Sequence, residues 1–362
     1  MQDQDTISLD IAALDTAALD PRLSQANIKS TIVAGLVAMA REQGVACDAW
    51  FVGLRLGPAQ FSADALPYLS YRQAALIIRR ALRSLPGSGH GLVLGTGQDI
   101  GSFGLLGLAM LTAPDFAQAL RWGIHYAPIT GAMMELALEE DRESVAVIAR
   151  MRDHDPDLEP FLCEELFVSS LELCRGLLGP EFRPQRLELA YAAPDYASDY
   201  AAAFSCDVRF GCARNRVLLD SRWLASTMPA HNAASAQQII ALCEAQMPGT
   251  RASSEVVAVV ERLLRQRLAD NPRLVDIAAE LHLTERTLRR QMQAAQTSFT
   301  ALHDRVRSEA ARRLLVDPRT SIAQVGIAVG FKDAREFRRA FKRWTGVAPR
   351  ALRSGRGGAA SA

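Results

Sequence analysis

The strongest constraint on the fold of this chain is a two-helix layout that occurs twice, 49 residues apart. In "SIAQVGIAVGFKDAREFRRAFKRWTG" (321–346), Ser321 and Gln324 have capping-box spacing, so a helix is predicted to start there. Ile322, Val325 and Val329 follow at steps of three and four and form one apolar stripe. Gly330 suits the left-handed residue that ends a helix, and Asp333, with Glu336 three residues on, suits the cap of the next. In that second helix Phe337 and Phe341 are predicted to face inward, which spreads Arg335, Arg338, Arg339 and Lys342 over the outer surface. A short turn between two such helices is the helix-turn-helix arrangement, whose second helix can enter a DNA major groove.

The earlier copy is "LVDIAAELHLTERTLRRQM" (274–292). Ile277, Ala278 and Leu281 form its first stripe, Thr284 is the expected N-cap, and Leu288 stands in the place of Phe337. Arg286, Arg289 and Arg290 align with Arg335, Arg338 and Arg339. Between the copies, Phe299, Leu302, Val306, Ala310 and Leu314 fall at helical spacing, and Pro318 follows as a stop. A single connecting helix would hold the units at one separation; at about 34 Å both second helices would read one face of a duplex.

The charge distribution points the same way. Residues 251–362 contain 22 basic and 11 acidic residues, whereas residues 1–250 contain 19 and 29, so a formal net charge of +1 conceals two oppositely charged parts. That asymmetry is expected when one part binds a polyanion. Lys332 and Lys342 are the only lysines of the basic part. The rest is arginine, whose planar fork grips phosphate or guanine with two parallel bonds. Solvated helix faces would explain one arginine-rich helix, but less readily two copies in register.

Residues 271–353 resemble the DNA-binding domain of AraC-type (AraC/XylS) transcription regulators through "DIAAELHLTERTLRR", "RVRSEAARRLL" and above all "VGFKDAREFRRAFKRWTGVAP". The resemblance implies DNA contacts from Arg286, Thr287, Arg289 and Arg290 on the first recognition helix. It implies others from Arg335, Arg338, Arg339 and Lys342 on the second, and RNA polymerase as a partner. Three positions depart from the family pattern: His282 and Gln296 stand where Gly is usual, and Gly326 where Ala is. Glycine within a helix costs about 1 kcal/mol relative to alanine, so Gly326 is expected to loosen the second unit.

Residues 1–24 are acidic and read as a disordered tail. Structure is expected from Ile28, where Ile28, Ile32, Leu36 and Met39 make a stripe, with a second helix across "YLSYRQAALIIRRALRSL". The glycine-rich stretch 87–111 includes "GTGQDIG", which lacks the spacing of a dinucleotide fingerprint and the GK[ST] of a phosphate loop. Close packing of a small-residue helix through Gly104 and Gly107 is the expected use of these glycines. After a helix at 115–127, Met134, Leu136 and Leu138, then Val145, Val147, Ala149 and Met151, alternate as two strands around a turn at "EDRE". A helix at 161–178, a strand at "RLELAY", a short helix and a last strand pair around "DVRFGCARNRVLLD" complete an α+β region. "DIGSFGLLGLAMLTAPDFAQALRWGIHYAPI" and "YAAAFSCDVRFGCARNRVLLDSRWL" resemble the arabinose-binding-type amino-terminal domain of an AraC-type subgroup. The strand content before residue 133 is too low for a β-barrel sugar sensor, so the word arabinose implies no ligand.

The expected fold is therefore an α+β amino-terminal sensor domain and an all-α carboxy-terminal domain with two helix-turn-helix units joined by a linker helix. The expected divisions are a tail at 1–24, a ligand-sensing and dimerisation domain at 25–246, a linker at 247–254, the DNA-binding domain at 255–353 and a disordered tail at 354–362. The expected function is a DNA-binding activator responding to a small metabolite. A constitutive or redox-responsive DNA-binding protein, with Cys206 and Cys212 as the nearest thiols, is the alternative. An enzyme fused to a DNA-binding module fits less well. The six cysteines form no C-x-x-C, the histidines form no H-x₃-H, and Glu164 and Glu165 would raise rather than lower the pKa of Cys163. No catalytic residue, cofactor or metal site is expected. An effector pocket is expected near Gly101, Ser102 and Phe103 at a helix start and at Trp122, His125 and Tyr126. A helix amino terminus and aromatics together suggest a carboxylate metabolite. Double-stranded DNA and a second copy of the chain are the expected partners. No run approaches the roughly 18 apolar residues of a membrane span, and the start lacks a signal-peptide pattern, so a cytoplasmic, nucleoid-associated location is expected.

Overall fold

The computed structural model describes residues 21–54, 56–62, 66–140, 144–247, 253–281, 283–317 and 319–353. Most of both expected tails, the heart of the 247–254 linker, the tip of the "EDRE" turn, His282 and Pro318 thus lie outside the described residues. The chain divides into two units, Met1–Ala252 and Ser253–Ala362. No helix among the described residues is long and apolar enough to cross a membrane.

The first unit is α+β. Its described chain opens inside the segment read as tail, with a 3-10 turn at Pro21–Ser24 that buries Leu23. Two short strands follow, β1 (Gln25–Ala26) and β2 (Ile28–Lys29), and β2 pairs antiparallel with β3 (Tyr68–Leu69). Ile28, Ile32, Leu36 and Met39 are all buried, but Ile28 belongs to β2, and helix α1 runs from Thr31 to Glu42. Likewise Tyr68 and Leu69 are strand rather than helix. The helix α2 (Tyr71–Ser84) begins where Ser70 and Gln73 form a capping box, each side chain taking the other's backbone N–H.

The glycine-rich stretch becomes two short helices, α3 (His90–Thr96) and α4 (Leu105–Thr112). Close approach is made by Gly91 and Gly95 of α3, against α6 (Glu159–Leu178). A methyl group on Gly91 would lie 2.5 Å from the Phe161 carbonyl oxygen, and one on Gly95 2.7 Å from Val168 Cβ. Gly107 does pack tightly, on the Ile100 carbonyl, whereas Gly104 is a left-handed joint (φ 55) with open space around its α-carbon. Glu164 of α6 is buried at this contact. It accepts hydrogen bonds from the Tyr196 hydroxyl (2.7 Å), the Tyr200 hydroxyl and the backbone N–H groups of Gly91 and Leu92. Burial raises its pKa and these donors oppose the rise.

Helix α5 (Phe116–Tyr126) is N-capped by Asp115, and α7 (Ala197–Phe204) and α8 (Ala233–Gln246) follow α6. The five-stranded sheet comprises β4 (Met134–Glu140), β5 (Ser144–Met151), β6 (Arg186–Glu188), β7 (Asp207–Arg209) and β8 (Asn215–Asp220), in the spatial order β4-β5-β8-β6-β7. The pair β4/β5 runs antiparallel from Met134 opposite Met151 to Glu140 opposite Val145. Its alternating apolar residues join the main core. The interior strand β5 is covered on its second face too, where Ile148 is buried. The strands around "DVRFGCARNRVLLD" are not partners of each other. β6 lies between them, antiparallel to β8 and parallel to β7, because the chain crosses from β6 to β7 through α7 and a crossover returns in the same direction.

The second unit is all-α: α9 (Glu255–Gln266), α10 (Leu274–Glu280), α11 (Glu285–Ala294), α12 (Phe299–Leu315), α13 (Ile322–Ala328), α14 (Ala334–Thr345) and α15 (Pro349–Arg353). It holds two small cores. Val260 and Leu264 of α9, Ile277, Leu288 and Met292 meet Leu302 and Val306 of α12 in one. Ala311 and Leu315 of α12 meet Val325, Val329, Phe337 and Phe341 in the other.

The α3/α6 contact predicts that Gly91→Ala destabilises the protein by about 2 kcal/mol or more, since the added methyl meets backbone that cannot swing away. Gly57→Ala, where the added atom meets nothing within 4 Å, should leave the thermal midpoint nearly unchanged.

Candidate nucleic-acid interface and sensor cavity

Each recognition helix is started by a side chain and oriented by two apolar anchors. Thr284 accepts the Thr287 N–H (3.1 Å) and opens α11; Asp333 accepts the Arg335 N–H (2.7 Å) and opens α14. Leu288 and Met292 point α11 into the first core, and Phe337 and Phe341 point α14 into the second. Helical geometry then leaves Arg286, Arg289 and Arg290 exposed on α11 and Arg335, Arg338, Arg339 and Lys342 exposed on α14. Thr287 is half-buried and its hydroxyl is 2.9 Å from that of Thr284, so it also serves the cap.

The partners of the arginines divide them into two sets. Arg265 binds Glu261 and Glu309 (2.6 Å each), Arg305 binds Glu261 (2.7 Å), Arg267 binds Glu280 (3.0 Å) and Arg343 approaches Asp304 (3.2 Å). These pairs tie α9, α10 and α14 to their neighbours. Arg286, Arg290, Arg335, Arg338, Arg339 and Lys342 have no acidic partner among the described residues, and Arg289 has only Glu285 one turn away at 3.7 Å. Cations without intramolecular partners at equivalent places on two helices are free to neutralise phosphates or to read base edges.

Arg307 belongs to neither set. It is buried in α12, with Nη2 donating to the Asn271 side-chain oxygen and to the Gly330 carbonyl (3.3 Å), and its guanidinium lies 4.5 Å from the centre of the Phe331 ring. Gly330 is left-handed (φ 82), and a side chain there would meet the Leu268 carbonyl at 2.5 Å. The turn of the second unit is therefore held against the segment preceding the first. His303, one turn back on α12, is lowered to about 4 by burial and by Arg307, so it is neutral at pH 7. Two of the departures from the family pattern have structural consequences. Gln296 ends α11 in the left-handed conformation (φ 53), a strained one for a residue with a side chain. At Gly326, a methyl group would lie 3.2 Å from Phe337 Cβ, so glycine lets α13 approach α14 and the expected loosening is offset by closer packing.

In the first unit a cavity of about 130 Å³ lies between the sheet and helices α4, α5 and α6. Ser102 and Phe103 line it; Gly101, Trp122, His125 and Tyr126 do not. The Tyr126 hydroxyl donates to Glu244 of α8 (2.7 Å), His125 Nε2 is 3.6 Å from the same carboxylate, and Trp122 packs at the edge of the main core. The anion-binding basis expected at Gly101–Phe103 is also missing. That turn is three residues long, and the Ser102 N–H and hydroxyl are already bound to Asp99 (2.8 and 2.9 Å). Glu165, conspicuous in the sequence only as a neighbour of Cys163, is the one acidic or basic residue lining the cavity among the described residues. Its pKa is pushed up to about 7 by burial alone although it keeps partial exposure, so the surface it shows is cavity rather than bulk solvent. An acidic pair within the apolar run Phe161–Val168 was the available signal. Cys163 is raised well above its ordinary value, chiefly by burial and then by Glu159 and Glu164.

Comparison with known proteins adds homology to this geometry. A family model described as "Arabinose-binding domain of AraC transcription regulator, N-term" matches residues 44–228, and one described as "Helix-turn-helix domain" matches residues 277–355. The chain is 28% identical over 318 residues to the ornithine utilization regulator of Pseudomonas aeruginosa, covering 87% of this chain and 92% of that protein. It is 35% identical over 97 residues to the transcriptional activator NphR of a Rhodococcus species, covering 26% of this chain and 29% of that protein. Among solved structures, the transcriptional regulator CdpR from Pseudomonas aeruginosa aligns over 94% of this chain and 100% of its own, at 23% identity and a TM-score of 0.47.

Two predictions follow from the buried charges. Arg307→Ala leaves the Asn271 oxygen without its donor and removes the contact with Phe331. It should destabilise the second unit by about 2 kcal/mol or more and weaken DNA binding from a position off the recognition helices, as thermal unfolding and gel-shift titration would report. For Glu165, whose folded pKa of about 7 exceeds its ordinary 4.5, the folded state favours the protonated form. The stability this provides is fully present below pH 4.5 and is lost as pH rises through 7. Glu165→Gln should flatten the fall in stability between pH 5 and 8 by up to ~3 kcal/mol, measurable by denaturant titration across that range.

Proposed function

Because this chain belongs to the AraC family of transcription regulators, we propose that its two recognition helices enter the major groove on one face of an operator and that a small metabolite bound in the first unit adjusts the outcome. The observation that supports this most directly is the set of partnerless cations at matching places on α11 and α14, while Glu261, Glu280, Asp304 and Glu309 are spent on other arginines. Affinity then comes mainly from phosphate neutralisation with release of counterions, and sequence choice from the arginines that reach base edges. Helix α12 spans 17 residues, about 25 Å at 1.5 Å per residue, a length suited to spacing two helices along a duplex. One pair of units covers one half-site, so a homodimer joined through the first unit, acting on RNA polymerase bound nearby, completes the proposal.

The metabolite role draws on the relative named for ornithine utilization, and the direction of control on the relative named a transcriptional activator. A redox role for Cys206 and Cys212 has less to support it. Burial and then Asp207 push the Cys206 thiol up to about 11, away from the thiolate a sensor needs.

The test is a footprint and salt titration on the operator selected from random duplexes by the intact protein. Arg290→Ala and Arg339→Ala should each relax preference at one base position by about 1–3 kcal/mol if bidentate to guanine, or reduce the salt slope by about one if bound to phosphate. Arg305→Ala, which breaks only the pair with Glu261, should leave both readouts nearly unchanged. A footprint and salt slope unaltered by the recognition-helix variants would overturn the assignment.

A further inference from the structure

We propose that the cavity of the first unit is the effector site and that its occupant is a small molecule with a compact apolar body and one protonated amine, the amine pairing with Glu165. This deepens the sensing role proposed above and rests on it. A cavity of about 130 Å³ is close to the ~150 Å³ apolar cavity that accepts benzene, so it accommodates a single ring or a branched chain of similar bulk. The walls agree. Leu106 and Met110 of α4, Leu166 of α6 and Val147 and Val217 from facing strands present hydrocarbon to the space. An occupant therefore gains by burying apolar surface.

The charge of the lining selects the head group. Among the described residues, no arginine, lysine or histidine lines the cavity, and Glu165 is the only acid. A carboxylate occupant would sit beside another carboxyl with no cation to balance it. An ammonium supplies what Glu165 lacks, because among the described residues no side chain or backbone group hydrogen-bonds its carboxyl. The adjacent Glu164 shows how the same helix treats a carboxyl it uses internally: two tyrosine hydroxyls and two backbone N–H groups converge on it. A carboxyl that faces the cavity without a donor, beside one so completely satisfied, marks a partner from outside. Burial that disfavours the lone carboxylate makes its pairing with an ammonium stronger than it would be in water. Ser170 and Gln98 at the edge of the space offer further hydrogen bonds that orient the body.

The probes are benzylamine, its acid counterpart benzoate and the neutral benzyl alcohol, each titrated into the full chain while thermal unfolding and operator affinity are recorded. Benzylamine should raise the midpoint in proportion to dose, benzoate should not, and Glu165→Gln should weaken benzylamine at least about tenfold while leaving benzyl alcohol nearly unaffected. Ser170→Leu, which fills the space from α6, should abolish binding of both benzylamine and benzyl alcohol. Benzoate binding as well as the amine would overturn the inference, as would benzylamine giving no shift or one that survives Glu165→Gln. If Ser170→Leu does not fold, the nearly isosteric Glu165→Gln still decides the matter. Operator affinity separates the two proposals. An amine that binds through Glu165 but leaves operator affinity unchanged counts against the sensing role and not against the chemistry of the site.

Discussion

One helix serves two cores, and the arrangement of the DNA-binding unit depends on that. Leu302 and Val306 of α12 close the first core, and Ala311 and Leu315, about two turns further, close the second. The relation between the recognition helices is thereby set by the pitch of a helix, which is stiff, rather than by loops. Arg307 sits at the change-over between the cores and hydrogen-bonds to Asn271 before the first unit and Gly330 in the turn of the second. Leu268 packs against both cores. Two small cores that would each be marginal alone are in this way held as one body.

The same residue type plays three parts here, and packing assigns them. Arginines facing Glu261, Glu280, Glu309 or Asp304 become intramolecular clamps, worth little individually because they are exposed. Arg307, taken out of water, becomes a hydrogen-bond hub with an aromatic ring against it. Arg286 and Arg290 of α11 and Arg335, Arg338 and Arg339 of α14, opposite the apolar anchors, are exposed and have no acidic partner among the described residues, so their charge is turned toward solvent.

In the first unit, helix α6 borders both the tightest interhelical contact and the cavity. Its glycine-matched contact with α3 places Glu164 among donors, and the next residue, Glu165, lines a cavity where no donor among the described residues reaches its carboxyl. Leu136 of β4, Val147 of β5 and Val217 and Leu219 of β8 supply the apolar floor, so the cavity is a gap between layers rather than a cleft on the surface. This explains why the helix start at Gly101–Phe103 contributes only at the rim.

The sequence by itself determined the local physics of this protein. Capping pairs, apolar stripes at helical spacing and a 49-residue repeat were enough to place α10 to α14 and the outward arginines, because those features act between residues close in the chain. Alternation was likewise enough for β4 and β5. Tertiary structure decided what depends on distant neighbours. It set which arginines are paired, placed β6 between β7 and β8, and turned Tyr126 and His125 toward Glu244 rather than toward a pocket. It also put the carboxyl of Glu165 at the cavity, where the sequence pointed to the glycine-rich helix start. Local rules report which face of an element is apolar; whether a charge on that element meets a partner, solvent or an empty space is settled only when segments far apart in sequence pack together.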